Sequence, residues 1–127
     1  MSDYVLDASA LLALLNAEEG TTLVQDILPD ASISTVNLAE VITRLSAVGM
    51  PEAEIRDSLS LLGLEIIPFD QEQAYQTGLL YSQARPFGLS LGDRACLALA
   101  RINSATAVTA DRAWKDLNAS IEIKLIR

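Results

Sequence analysis

Residues 4–9 place a single acid between two apolar segments, and this constrains the chain more than any other stretch. Tyr4, Val5 and Leu6 read as a short buried strand, and the Ala/Leu run at 10–15 reads as a helix. Asp7 falls where the strand ends. In open α/β sheets ligands bind just beyond the carboxyl ends of the strands, so Asp7 has the address of a functional group. An acid in such surroundings is costly to bury unless its charge is compensated. Asp is also a preferred helix N-cap. Capping and ligand binding both remain open for Asp7 on this segment alone.

The pattern then repeats along the chain. A short helix is predicted over 21–28 and ended by Pro29, followed by a strand over 31–35 centred on Ile33. Val36-Asn37-Leu38-Ala39-Glu40 opens a helix running to about residue 48, with Leu38, Val41, Ile42 and Leu45 as its apolar stripe. Gly49 stops it, and Pro51 takes the first position of the next helix, whose apolar face is Ile55, Leu59 and Leu62. A strand over 64–67 ends at Pro68. A helix over 71–85 carries Ala74, Gly78, Leu79 and Tyr81. The most apolar helix spans 90–103 and is expected to be buried against a sheet. A strand over 105–109, a short helix over 111–117 and a strand over 121–126 complete the order. Strands alternating with helices predict a three-layer α/β/α sandwich with a mainly parallel central sheet. At 127 residues, the chain is expected to form one domain over 1–127.

Composition narrows the chemistry. The chain contains no histidine, which removes the usual general base, Ser-His-Asp triads and most catalytic zinc sites. Its one cysteine, Cys96, cannot form an internal disulfide and is expected in the core. The apolar run over residues 8–17 falls short of the roughly 20 apolar residues needed to cross a bilayer. No secretory leader opens the sequence, and a cytoplasmic location is expected. The net charge of −8 is uneven. Residues 1–84 hold 13 acids against Arg44 and Arg56, whereas residues 85–127 hold four acids against seven bases. A basic local face on an acidic body still suits phosphate contacts, although the same bases also fit a scattered solvated surface.

Four carboxylates share one kind of position. Asp7 follows the first strand, Glu40 and Asp93 are each expected in the first turn of a helix, and Asp111 follows the strand over 105–109. In a parallel sheet these junctions fall at one edge. Converging carboxylates repel one another unless a cation neutralises them, and oxygen-only donors suit Mg²⁺ or Mn²⁺. Helix capping explains each acid separately. Asn37-x-x-Glu40 and Ser90-x-x-Asp93 resemble capping boxes, Asp7 and Asp111 are plausible N-caps, and Glu40 has Arg44 one turn away. Capping does not require all four to share a sheet edge, so together they favour a metal site.

Val5-Leu6-Asp7-Ala8-Ser9, Asn37-Leu38-Ala39-Glu40-Val41, Leu89-Ser90-Leu91-Gly92-Asp93-Arg94-Ala95-Cys96 and Val108-Thr109-Ala110-Asp111-Arg112-Ala113-Trp114 resemble the four motifs of the PIN-domain ribonucleases. The similarity is greatest to the VapC-type toxins of toxin–antitoxin modules and spans essentially the whole chain. It implies a PIN-like fold and a Mg²⁺-dependent endoribonuclease (Mn²⁺ as substitute) that hydrolyses RNA phosphodiesters with an activated water, leaving a 5′-phosphate. Asp7, Glu40, Asp93 and Asp111 match the family's catalytic, metal-holding acids, and Ser9 and Thr109 match supporting hydroxyls. Arg94 and Arg112, each directly after one of these acids, are candidate RNA contacts, with an ion pair to a nearby acid as their other role. Asp116 is not assigned to the site. Trp114 and Tyr4 are expected in the core. The resemblance also implies a cognate antitoxin and a homodimer; no membrane partner is expected from the short apolar runs.

Two other classes compete. A phosphotransfer domain would use Asp7 as its phosphoryl acceptor, but Asp7-x-Ser9 lacks a second Asp and no phosphate-binding Lys is evident. A non-catalytic PIN-like module would only bind a partner, against which the intact acidic quartet argues.

Overall fold

The computed structural model describes residues 2–117 and 119–127. Five strands, β1 (Tyr4–Leu6), β2 (Ala31–Ser34), β3 (Glu65–Ile67), β4 (Thr106–Thr109) and β5 (Ile123–Leu125), form one sheet in the order β3-β2-β1-β4-β5. Every pairing is parallel. The helices are α1 (Ala8–Leu15), α2 (Thr21–Ile27), α3 (Thr35–Ala47), α4 (Glu52–Ser60), α5 (Gln71–Leu79), α6 (Tyr81–Ala84) and α7 (Leu91–Ile102). The expected α/β/α sandwich is therefore present, with a sheet that is parallel throughout.

Both faces of the sheet are covered, as parallel sheets require. Successive side chains alternate between them with the period of two that a strand imposes. Val5 and Ala107 point into a cluster with Cys96, Leu97, Leu99, Ala100 and Trp114 on the α7 side. Leu6 and Val108, one residue on, point into the opposite cluster with Ala10, Ala13 and Val24 of α1 and α2. A third cluster of Leu11, Ile33, Val41, Leu45 and Ile55 locks α3 and α4 against α1. From β1 the chain moves outward through β2 to β3, then returns to β4 on the other side of β1. The order thus reverses at β1, and the carboxyl ends of β1 and β4 flank the resulting crevice.

Several boundaries differ from the sequence expectation. Pro51 caps α4 rather than opening it, since its ψ of 153° is extended. The helix expected over 71–85 is divided at Leu80 into α5, α6 and a 3₁₀ turn at Arg85–Phe87. Its inward face is Gln73, Thr77, Leu80 and Ala84, while Leu79 and Tyr81 are exposed. The side-chain amide nitrogen of the inward-facing Gln73 donates to the Pro68 carbonyl at 2.9 Å. The segment after Asp111 is a single 3₁₀ turn, Arg112–Trp114, instead of a helix to 117.

Trp114 is fully buried and Tyr4 half-buried, so both serve the core as expected. The burial of Trp114 fastens the turn that Asp111 caps. Replacing it with alanine should cost about 3–5 kcal/mol of stability, measured by urea unfolding against the parent chain.

Candidate functional site

Asp7 follows β1 at the crevice and is only 4% exposed. Its Oδ1 accepts the Ala10 amide at 2.8 Å, capping α1, and also the Ser9 hydroxyl at 2.7 Å. Its Oδ2 accepts the Thr109 hydroxyl at 2.5 Å. Each hydroxyl has one hydrogen, and both are committed to Asp7. Their oxygens are then free to accept. Ser9 accepts the Ala110 amide at 2.9 Å and Thr109 accepts the Asp111 amide at 3.0 Å. The two hydroxyls thereby bind the end of β1 to the exit of β4. Burial raises the Asp7 pKa to about 6, against the lowering effect of these hydrogen bonds and with a smaller raising contribution from the Asp93 charge.

Asp111 is exposed and caps its turn through Oδ1, which accepts the Ala113 amide at 2.9 Å. Asp93 forms a complete capping box at the start of α7. The Ser90 amide donates to its Oδ2 at 2.8 Å, and its own amide donates to the Ser90 hydroxyl at 3.2 Å. Glu40 is different. Ser34 caps α3, so Glu40 lies in the second turn and Asn37 inside the helix; the expected Asn37–Glu40 capping box is absent. The Asn37 amide instead donates to Glu40 Oε1 at 2.8 Å and to the Gly92 carbonyl of α7 at 2.9 Å.

All four acids line one open cleft of about 400 Å³, together with Ala8, Ser9, Leu12, Thr43 and Arg44. Among the described residues the ion pairs are Arg56–Glu52 and Arg127–Glu18, so none of the four has a cationic partner. Glu40 and Arg44, one turn apart, do not pair. A larger groove of about 680 Å³ between α3 and α4 is mostly apolar and contains none of the four.

The donors are all hard oxygens, which is the chemistry of Mg²⁺ and Mn²⁺ sites. Among the described residues no group of three or more His, Cys, Asp or Glu side chains is disposed to enclose an ion. An ion here would therefore rest on one or two carboxylates with waters completing its shell, the common arrangement for Mg²⁺. The set fits such an ion.

Residues 4–119 match the PIN-domain family. The chain belongs to that family. PIN domains are generally nucleases. The fold is also that of a chain in the DNA-bound VapBC complex of Salmonella typhimurium, with 20% identity, all of both chains covered and a TM-score of 0.78. A chain of a toxin–antitoxin complex from Klebsiella pneumoniae matches at 20% identity over 98% of each chain, with a TM-score of 0.74. A chain of VapBC-5 from Mycobacterium tuberculosis, a member of the VapBC family of toxin–antitoxin systems, matches at 22% identity over 98% of each chain (TM-score 0.60). No curated protein matches the sequence.

Within this PIN domain neither of the two candidate RNA-contacting arginines lines the cleft. Arg94 is half-buried against α5, donating to the Thr77 carbonyl at 3.0 Å and lying 5.4 Å from the Tyr81 ring centroid. It neither lines the cleft nor pairs with an acid. Arg112 is exposed and also outside the cleft lining. The cation in the cleft is Arg44, whose signal was its position one turn after Glu40. Asn37 and Gly92 were also missed as site residues, because their contacts join segments 55 positions apart.

The raised Asp7 pKa has a definite consequence for stability. Between its unfolded value near 3.8 and its folded value near 6, the folded PIN domain holds the extra proton. Metal-free stability should therefore fall as pH rises through that window, by about 3 kcal/mol from this group. Urea titrations from pH 4 to 7 on the parent chain and Asp7→Asn check this; the variant should have the flatter profile.

Proposed function

We propose that this PIN domain is a metal-dependent endoribonuclease and the toxin of a toxin–antitoxin pair, with Asp7, Glu40, Asp93 and Asp111 as its catalytic carboxylates. The observation that carries this is the meeting of four acids from four separate segments in one cleft, none of them in an ion pair among the described residues. One or two of the four would bind Mg²⁺, or Mn²⁺ in its place, directly, and the others would act through the waters of its shell. When bound, such an ion activates water and polarises a phosphoryl oxygen. The chain's own residues prepare the site. Ser9 and Thr109 fix both oxygens of Asp7, and the capping box with Ser90 fixes Asp93. Burial of Asp7 keeps part of the floor dry, which strengthens charge interactions there. Water attack on the phosphodiester would break the bond to the 3′ oxygen and leave a 5′-phosphate. Arg44 is the cation positioned to meet a backbone phosphate.

The partners follow from the same reading. RNA is the substrate, and a cognate antitoxin restrains the activity, as the pairing named for the structural relatives supports. A homodimer and a cytoplasmic location belong to the proposal as well. Among the described residues no helix is long and apolar enough to cross a membrane. Phosphotransfer is disfavoured because the Asp7 oxygens are buried and already accept three hydrogen bonds.

Asp93→Asn separates the chemical role from the structural one. The amide preserves size and much of the capping, so stability should fall by at most about 2 kcal/mol. Cleavage of RNA with Mg²⁺ should nevertheless collapse, and a folded, fully active variant would reject the assignment. A second measurement addresses Arg44. Arg44→Ala should weaken RNA binding and reduce the slope of log affinity against log salt by about 0.7, the share of one contact to single-stranded phosphate.

A further inference from the structure

We infer that Asn37 is a positioning residue that fixes the Glu40 carboxylate in the cleft by tying it to the α7 backbone at Gly92. The inference rests on the metal-dependent activity proposed above. Asn37 is 1% exposed and lies one turn before Glu40 on α3. Its amide nitrogen has two hydrogens, and both are used, one on Glu40 Oε1 at 2.8 Å and one on the Gly92 carbonyl at 2.9 Å. Its own oxygen, Oδ1, is buried and has no hydrogen-bond partner among the described residues. That vacancy fixes the amide's orientation. Turning it over would set Oδ1 against two acceptor oxygens and leave the nitrogen without an acceptor.

Packing acts on the same carboxylate independently. A Cβ added to Gly92 would lie 2.4 Å from Glu40 Oε1 and 2.5 Å from Oε2. The Glu40 carboxylate therefore rests directly on the α7 backbone, where any side chain would displace it. Glycine is a poor helix former, and its presence in the first turn of α7 is explained by this close approach. One acid is thus held by a buried amide on its own helix and by a missing side chain on another. Because Oε1 is engaged by Asn37, Oε2 is left without a protein donor among the described residues and is available to a cation. Partners of this kind, which orient a ligand without touching the metal, commonly govern affinity.

The test is calorimetric titration of Mn²⁺ alone into the metal-free protein, with thermal melting of each variant. Asn37→Leu, of similar volume but without the amide, should weaken Mn²⁺ binding about 10–100-fold. Gly92→Ala should do the same by pushing the carboxylate aside. Val41→Ala, in the α3 core beside them, should lower the melting temperature and leave Mn²⁺ affinity unchanged. A folded Asn37→Leu with wild-type Mn²⁺ affinity would overturn the inference. If Asn37→Leu does not fold, Asn37→Ser and Gly92→Ala carry the same expectation, and wild-type affinity in either overturns it. A parent protein that binds no Mn²⁺ would instead refute the metal-dependent activity itself. Normal binding by the parent and by the variants refutes only the role of Asn37.

Discussion

Removing the Asp7 carboxylate from water is the constraint to which the contacts around it respond. The group is 4% exposed, and among the described residues it has no ion pair to repay its lost hydration. What compensates it is a set of three donors, the Ala10 amide and the hydroxyls of Ser9 and Thr109. They do so incompletely, since the pKa stays near 6. The same donors set the geometry of the crevice. Ser9 and Thr109 accept the Ala110 and Asp111 amides, so satisfying Asp7 also fixes the start of the loop that carries Asp111. An arrangement made only for stability would place an apolar residue at the end of β1.

Capping and site membership turn out to be compatible. Asp7, Asp93 and Asp111 each accept a backbone amide at the start of a helix or turn, and each still lines the cleft. In a parallel sheet the helix starts lie at the carboxyl edge of the strands, where ligands also bind. A cap spends part of a carboxylate's hydrogen-bonding capacity and fixes its orientation, while other lone pairs remain available. Glu40 lacks such a cap and is held from its side by Asn37 and from below by Gly92. Four acids are therefore immobilised by local contacts, without a neutralising base.

Much of the fold was legible because its signals are local. The alternation at Val5-Leu6 and Ala107-Val108, the Ser90–Asp93 box and the apolar run of α7 each lie within a few residues. The four acids were legible for the same reason, since Asp7 and Asp111 directly follow strands and Glu40 and Asp93 lie within the first two turns of their helices. The failures are non-local. Polar Gln73 and Thr77 face inward on α5, where the Gln73 amide reaches the Pro68 carbonyl and Arg94 holds the Thr77 main-chain carbonyl, contacts that no pattern within residues 71–85 encodes. Asn37 looked like a cap because its spacing to Glu40 is that of a capping box. Its actual use, an amide shared with α7, depends on a helix packing that no local pattern encodes. Arg94 follows an acid in sequence, yet one residue in a helix turns a side chain by about 100°, enough to move it from the cleft to the flank against α5.

Arg44 makes the cost of this site clear. It lines the same cleft as Glu40 and is one helical turn away, the spacing at which oppositely charged side chains commonly pair. They do not pair here, and Glu40 Oε1 takes its hydrogen bond from the neutral Asn37 amide instead. A neutral donor orients a carboxylate without cancelling its charge. An arginine in that position would neutralise it and weaken the pull of the cleft on any other cation. The price falls on stability, because about 3 kcal/mol from Asp7 alone is a sizeable part of the roughly 5–15 kcal/mol that holds a domain folded. The buried clusters on both sides of the central strands and the Trp114 anchor offset that burden, leaving Arg44 at the cleft wall without an ion pair among the described residues and open to an anion.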